Sequence, residues 1–266
     1  MKEKVKMTIQ MIIVIILIIL IGWLVCNRVI AQTSKVVNPV ATFEVQDYGT
    51  VKMELYPEYA PNTVANFIAL INSGFYNNKV IFGKDDVCLY MARDTAEDAK
   101  GPTISLMDDS VEAGSENDYE YEINGEFVAN QFPRNTLRHE KGVISLNRSD
   151  YSSYGLTEES YNSGSYRFCV MMTQNANLNG VYCAFGKITE GMEILEKIYR
   201  EAEIKPEETE EGKSDESGEI QEFASQPVIT NAHVETYGVN YAKPEVHKAF
   251  DIQGYINELY SQYLTY

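Results

Sequence analysis

The feature that most limits how this chain can fold is a succession of short apolar runs, each bounded by turn residues, beyond residue 38. Runs of about four to eight residues in which apolar and polar side chains alternate predict half-buried β-strands. Strands are predicted at residues 40–46, 50–56, 79–82, 87–92, 142–147, 166–172, 182–188 and 227–237. Asp47, Tyr48 and Gly49 separate the first two strands, which is typical of a hairpin.

Two segments follow the helical period instead. The first begins at Pro61, which suits a first helical turn, and ends at Gly74. The second spans Gly191 to Arg200. The side chains predicted to face inward are Val64, Phe67, Ile68 and Ile71 in the first helix and Met192, Leu195 and Ile198 in the second. Many short strands with two helices predict a closed or nearly closed antiparallel barrel capped by helices.

The N-terminal segment has the composition of a membrane anchor. Met11 to Cys26 contains no charged residue, and three lysines precede it. With residues 7–10 the run reaches about twenty residues, which at ~1.5 Å each span a ~30 Å hydrocarbon layer. Trp23 lies near its far end, where an indole favours the interface. We therefore predict a transmembrane anchor at residues 1–28, with a cytoplasmic N-terminus and an extracytoplasmic folded domain at the cell membrane.

Two alternatives remain for this segment. Val29-Ile30-Ala31 offers a weak signal-peptide cleavage site, which would release a secreted protein. Cys26 would be the lipidated residue of a lipoprotein, although the preceding Val25 is not the small residue expected there. Every one of these alternatives places the folded domain outside the cytoplasm.

Charge and cysteine content exclude two classes of function. The 39 acidic and 22 basic residues give a net charge of −17, which repels phosphate backbones and argues against a nucleic-acid partner. The four cysteines and three histidines lack the spacing of a metal site, so neither a metal nor another cofactor is expected.

The remaining segments differ from the barrel pattern in composition. Residues 29–38 form a short polar linker before a main domain at residues 39–241. Residues 201–222 are rich in carboxylates and poor in apolar side chains, which predicts a disordered acidic insertion. Residues 242–266 form a C-terminal tail in which Val246 to Leu264 is a plausible helix.

Four blocks in this order resemble the cyclophilins, a family of peptidyl-prolyl cis-trans isomerases, and in part their bacterial members. The first is GTVKMELYPEYAPNTVANFIALINSGFYNN, and the second is LRHEKGVISLNRS. The third runs from Ser165 to Ile198, and the last is PVITNAHVETYGVNY. The resemblance covers about residues 39–241.

This resemblance implies an eight-stranded antiparallel barrel capped by two helices, with a shallow groove that binds an X-Pro peptide. Proline-containing polypeptides or unfolded secreted proteins are then the expected partners. Rotation about the prolyl bond is slow because the amide has partial double-bond character, with a barrier of ~18–20 kcal/mol. In the family an arginine donates to the prolyl nitrogen and weakens that resonance, which stabilises the twisted transition state electrostatically.

The residues at the catalytic positions depart from the family pattern. An ungapped match puts Gly83 where the arginine belongs, whereas a shift that superposes Phe82 on the family phenylalanine offers Lys84. An ammonium lacks the planar fork of a guanidinium and is not equivalent to it. Lys84 and Arg167 are the candidate catalytic replacements, and Arg93 is a further cation on a neighbouring strand.

The groove residues implied by the resemblance are altered as well. The candidate substrate-binding residues are Phe82, Cys88, Met91, Arg148, Cys169, Leu178 and Tyr182. Cys88 and Cys169 match pocket positions that face each other, so a disulfide between them would close the pocket. The expected function is a weakly active prolyl isomerase for extracytoplasmic or secreted proteins. The alternative is an inactive cyclophilin-like module that binds polypeptides as a chaperone or scaffold at the membrane surface.

Overall fold

The computed structural model describes residues 11, 15, 16, 20, 37–94, 101–206 and 220–263. The chain divides into two units, Met1–Val37 and Asn38–Tyr266. In the first unit Met11, Ile15, Ile16 and Leu20 are helical, and each is more than half exposed. Within the described ranges, no helix has the length and apolar character needed to cross a membrane. The rest of the predicted anchor, the cleavage site and most of the linker lie outside the described residues.

The second unit contains eleven strands and four α-helices among its described residues. The strands are β1 (Val40–Val45), β2 (Gly49–Leu55), β3 (Val80–Lys84), β4 (Cys88–Arg93), β5 (Tyr121–Glu122), β6 (Val143–Leu146), β7 (Phe168–Met171), β8 (Cys183–Glu190), β9 (Gln221–Glu222), β10 (Ile229–Glu235) and β11 (His247–Lys248). The helices are α1 (Pro61–Asn72), α2 (Thr157–Tyr161), α3 (Met192–Glu201) and α4 (Ile252–Tyr263). Each of the eight predicted strands and both predicted barrel helices is present, so the mainly β prediction is confirmed.

Nine of the strands form one antiparallel sheet that curls back on itself. Their order is β10-β1-β2-β8-β6-β7-β4-β3-β9. Backbone hydrogen bonds close the sheet between β10 and β3: the Ile81 amide donates to the Pro227 carbonyl at 2.9 Å, and the Ile229 amide donates to the Lys79 carbonyl at 2.8 Å. These bonds satisfy backbone groups that an open edge would leave unpaired. The predicted antiparallel barrel is thereby confirmed.

Aromatic side chains from several strands fill the barrel beneath α1. The ring of Phe67, on α1, lies 5.3 Å from that of Phe168 and 5.1 Å from that of Phe185, both edge-on. All three rings are buried. Edge-to-face pairs of this kind add to the stability that their buried area provides, so α1 is held over the barrel mainly by the packing of its apolar face.

The start of α1 is fixed by a distant carboxylate. Pro61 occupies the first turn, where its missing N–H costs nothing. Glu126 accepts hydrogen bonds from the amides of Asn62 at 3.0 Å and Thr63 at 2.7 Å. A carboxylate at this end also interacts favourably with the helix dipole. Glu126 is buried, and its bonds link the loop before β6 to the capping helix.

The C-terminal tail and the acidic insertion, both predicted to lie outside the barrel, have a different secondary structure from the one predicted. Residues 247–248 are not helical but pair as β11 with β5, and α4 begins at Ile252. The acidic insertion is ordered at both described ends: Ile204 bridges Phe223, and β9 pairs with β3. A charged segment can join a sheet edge because the backbone, not the side chains, makes the bonds. Residues 207–219 lie outside the described residues.

The disulfide considered between Cys88 and Cys169 is not formed. Both residues are buried free thiols, as is Cys183. The Cys88 thiol contacts the Met171 sulfur at 3.6 Å. The hydrogen bond that the Cys169 thiol donates to Cys88, followed by burial, raises the pKa of the Cys169 thiol well above its ordinary value. These side chains therefore behave as small apolar residues.

Candidate active site

The outer face of β4 and β7 carries a small apolar cluster, separate from the barrel core. Because neighbouring residues of a strand point to opposite faces, Cys88 lies outside while Leu89 joins the core. The cluster contains Cys88, Val143, Cys169, Met171 and Ala184, and it is covered by Val87, Tyr90, Leu137 and Leu178. The structure thus brings together three predicted groove residues, Cys88, Cys169 and Leu178.

A buried histidine holds the loop of Leu178 against this cluster. The Nε2 atom of His139 lies 3.0 Å from the Ser145 hydroxyl, and its Nδ1 atom lies 3.3 Å from the Asn179 side-chain oxygen. The Asn179 oxygen can only accept, so Nδ1 carries the proton and Nε2 accepts from Ser145. Burial lowers the pKa of His139, although the hydrogen bond with Asn179 opposes the shift.

Two of the predicted site residues lie away from the cluster. Met91 is fully buried in the barrel core, because alternation along β4 places it on the same face as Leu89. The Lys84 ammonium donates to the Tyr199 carbonyl at 2.6 Å and lies 5.0 Å from that ring's centroid. Lys84 is therefore anchored to α3 at a backbone oxygen.

Gly83, at the position that an ungapped match assigns to the catalytic arginine, is covered by β9. Gly83 pairs with Glu222, and the Phe223 amide donates to the Phe82 carbonyl at 2.9 Å. A Cβ atom added to Gly83 would lie 2.6 Å from the Gln221 carbonyl oxygen. Real Cβ atoms do not approach a backbone oxygen that closely, so no side chain fits here while β9 is in place.

A cavity of about 510 Å³ lies beside β9 and is lined by three arginines. Phe82, Arg148 and Arg167 are the predicted residues in its wall, and Arg93 is the third arginine. The Arg93 guanidinium lies 4.6 Å from the Phe82 ring centroid and forms a bidentate ion pair with Glu222. The left-handed backbone of Ala92, with φ of 72°, precedes Arg93 and interrupts the alternation of β4.

The other two arginines are held mainly by aromatic rings. The Arg148 guanidinium lies 4.3 Å from the Tyr182 ring centroid and 5.1 Å from that of Tyr161. The exposed Arg167 donates from Nε to the Tyr166 hydroxyl at 3.1 Å. Arg148 thus connects the cavity to Tyr182. Its Nε atom also donates to the carbonyl of the neighbouring Val181 at 3.4 Å.

Sequence reasoning missed several residues of this face. Tyr90 and Leu137 cover the apolar cluster, and Glu222 neutralises Arg93. Alternation from Cys88 is a signal that could have identified Tyr90. No local signal singles out Glu222 among the carboxylates around it. Among the described residues, no group of three histidine, cysteine or carboxylate side chains could hold a metal ion.

Comparisons with known proteins point to a single family. Residues 40–221 match the family model described as cyclophilin type peptidyl-prolyl cis-trans isomerase/CLD. Peptidyl-prolyl cis-trans isomerase B of Bacillus subtilis is 28% identical over 162 residues, which cover 59% of this chain and 87% of that protein. The isomerase CYP23 of Arabidopsis thaliana is 26% identical over 171 residues, which cover 64% of this chain and 59% of the relative. This chain therefore spans less than two thirds of the plant protein's length.

A solved structure shows the same fold. The cyclophilin-type isomerase of Cryptosporidium parvum, crystallised in the presence of the dipeptide Ala-Pro, superposes with a TM-score of 0.50 at 19% sequence identity. The match covers 74% of this chain and 98% of that chain. At this identity the likeness concerns the fold alone.

Proposed function

The chain belongs to the cyclophilin-type peptidyl-prolyl cis-trans isomerase family, and from this premise we propose that it is a weakly active isomerase of proline-containing polypeptides outside the cytoplasm. The observation that carries the proposal is the apolar cluster on the outer face of β4 and β7, which contains Cys88 and Cys169 and is covered by Leu178. We assign the prolyl ring of the substrate to this cluster. Arg148 and Tyr182, in contact with each other, link the groove to the arginine-lined cavity.

In this mechanism Arg167 supplies the cation that the family arginine normally provides. Its guanidinium lines the cavity and is exposed to a bound peptide. Lys84 is the weaker of the two candidates because its ammonium already donates to the Tyr199 carbonyl. Donation to the prolyl nitrogen localises its lone pair and stabilises the twisted amide. Weak activity is expected because an exposed arginine is poorly preorganised.

The experiment is exchange NMR on a proline-containing peptide with the full-length chain in detergent micelles. We expect acceleration of cis/trans exchange that falls roughly tenfold or more in Arg167→Gln, since loss of one aligned donor typically costs ~10²–10³ in rate. Lys84→Gln is the matched control and should retain most of the acceleration. Equal losses in both variants would contradict the role assigned to Arg167.

A second candidate function is polypeptide binding without catalysis. It is favoured by Gly83, because β9 leaves no room for an arginine side chain at that position. The same titration separates the two functions. Shifts of the resonances of Leu178 and Tyr182 without faster exchange would identify a binding module, chaperone or scaffold.

We also propose the cell membrane as the location of the protein, with the folded domain on the extracytoplasmic side. The proposal is supported by the uncharged run Met11 to Cys26, the preceding lysines and the exposed helical residues of that run. Protease added to intact cells should digest the folded domain, and alkaline washing should leave the chain with the membrane. A soluble chain that begins after Ala31 would indicate a cleaved signal peptide instead.

A further inference from the structure

The arginine-lined cavity holds two guanidiniums that no carboxylate of the described residues neutralises. Arg93 pairs with Glu222, whereas neither Arg148 nor Arg167 takes part in an ion pair. Asp150 is influenced by the charge of Arg148, but its carboxylate bonds to Ser152. This wall of the cavity therefore presents positive charge that the described part of the protein leaves unpaired.

The other two glutamates of the cavity are engaged by backbone amides. Glu120 accepts from the Gly101 amide at 3.0 Å, and Glu122 accepts from the Phe250 amide at 3.1 Å. Burial is the main cause that raises the pKa of Glu122. These bonds tie the two carboxylates to the backbone of Gly101 and Phe250, and neither carboxylate forms an ion pair with Arg148.

Arg148 is held in one orientation and retains free donors. Its guanidinium packs on Tyr182 and Tyr161, and it donates to the carbonyls of Val181 at 3.4 Å and Ser149 at 3.2 Å. An arginine carries five N–H donors in a planar fork, so donors remain for a ligand. Because the stacking already fixes the side chain, little conformational freedom is left to lose on binding.

A hydroxyl group in the same cavity also lacks a partner. The Ser165 hydroxyl oxygen is buried and forms no hydrogen bond with the described residues, and Ser165 is one of the residues that line the cavity with Arg148. Buried polar atoms are nearly always satisfied, so one that is not calls for a partner. A hydroxyl donor and a guanidinium in one cavity match a group with two acceptor oxygens.

We propose that this cavity is a subsite for the carboxylate of an aspartate or glutamate in the bound polypeptide, held by Arg148 and Ser165. Arg93 and Glu222 form a bidentate guanidinium–carboxylate pair in the wall of the same cavity. The pair shows the geometry that we expect between Arg148 and a bound carboxylate. Arg148 contacts Tyr182, whose amide donates to the Leu178 carbonyl at 3.2 Å, so the subsite lies near the cluster assigned to the prolyl ring. The inference rests on the proposed function and narrows its substrates to segments with an acidic residue near the proline.

The test uses pairs of peptides that differ by glutamate or glutamine at each of the two positions on either side of the proline. Binding to the full-length chain in detergent micelles is measured by NMR titration. At one position the glutamate peptide should bind roughly tenfold more tightly, as expected for hydrogen bonds to a charged group. Arg148→Gln and Ser165→Ala should reduce this preference, whereas Arg134→Gln, an exposed arginine outside the cavity, should preserve it.

Equal affinity of the glutamate and glutamine peptides at every position would overturn the inference, as would a preference that survives both cavity variants. Exchange rates recorded in the same samples separate this outcome from failure of the proposed function. A glutamate preference without faster exchange supports the subsite and rejects the isomerase. Faster exchange with equal affinities rejects the subsite alone.

Discussion

Glu126 stabilises α1 through bonds to a residue 64 positions away in the chain. Its carboxylate accepts from the amides of Asn62 and Thr63 and from the Thr63 hydroxyl, and the two bonds from Thr63 are buried. Glu126→Ala leaves these donors unsatisfied, so we expect the free energy of unfolding to fall by about 2 kcal/mol. Urea denaturation measures the change.

Glu58 provides the matched control for that substitution. It precedes α1 but is exposed, so Glu58→Ala should change the free energy of unfolding by less than about 0.5 kcal/mol. If the two variants were equally stable, the capping role of Glu126 would be rejected.

His139 should make the stability of the domain depend on pH. Burial lowers the pKa of the folded imidazole below 6.5, its ordinary value. As the pH falls through that value the unfolded chain takes up a proton that the folded chain does not, so stability decreases, by at most ~1.4 kcal/mol per pH unit. His139→Gln should remove this part of the slope between about pH 5 and 7.

The exposed His233 is the control for the pH experiment. His233→Gln should reproduce the wild-type slope, because this exposed side chain takes no part in the hydrogen bonds of His139. Urea titrations at several pH values provide the measurement. A slope unchanged in His139→Gln would show that other groups cause the pH dependence.

Local periodicity predicted the orientation of some site residues and could not predict others. Alternation from Cys88 places Met91 inside the barrel, whereas the family resemblance implied a substrate-binding role for it. The observed burial of Met91 follows the alternation. Arg93 could not be oriented in this way because the left-handed Ala92 interrupts the pattern. Pairing of Lys84 with a carbonyl on α3 depends on tertiary packing alone.

At the scale of elements, the long strands were predictable and the short ones were not. The eight barrel strands span four to eight residues in the structure, enough to show a period of two. The strands β5, β9 and β11 have two residues each, too few for any period. They form because a neighbouring edge offers unpaired backbone groups. For β9, the surrounding carboxylates even predicted disorder.

The pairing of β9 with β3 depends on the absence of a side chain at Gly83. In Gly83→Ala the new Cβ would meet the Gln221 carbonyl at 2.6 Å, so β9 must shift. We expect the Phe223 amide, bonded to the Phe82 carbonyl in the native chain, to lose most of its protection from hydrogen exchange. Amides in the middle of β1 and β2 should keep theirs, since those strands lie far from β9 in the sheet order.

Gly101→Ala is the control, because a Cβ there meets mainly the flexible Glu120 side chain, at 3.0 Å. It should leave the exchange of the Phe223 amide unchanged. Retained protection in Gly83→Ala would mean that β9 can adapt without leaving the sheet edge, and the groove would then tolerate a larger residue at position 83.

For the whole molecule, the net charge of −17 opposes the very ligand that the cavity is proposed to select. The two effects act at different distances. The overall field governs how often a peptide approaches, and salt screens it over about 8 Å at physiological ionic strength. Contacts at Arg148 and Ser165 act only after docking and govern dissociation.

Association and dissociation rates of the peptides should therefore respond to salt in different ways. Raising the salt from about 0.02 to 0.2 M should speed association of a glutamate peptide severalfold and slow that of a lysine peptide, because the same negative field repels one and attracts the other. Dissociation of the glutamate peptide should quicken as its ion pair is screened. Stopped-flow fluorescence on labelled peptides measures both rates. If the association rates of the two peptides responded to salt in the same way, the binding site would be shielded from the charge of the rest of the molecule.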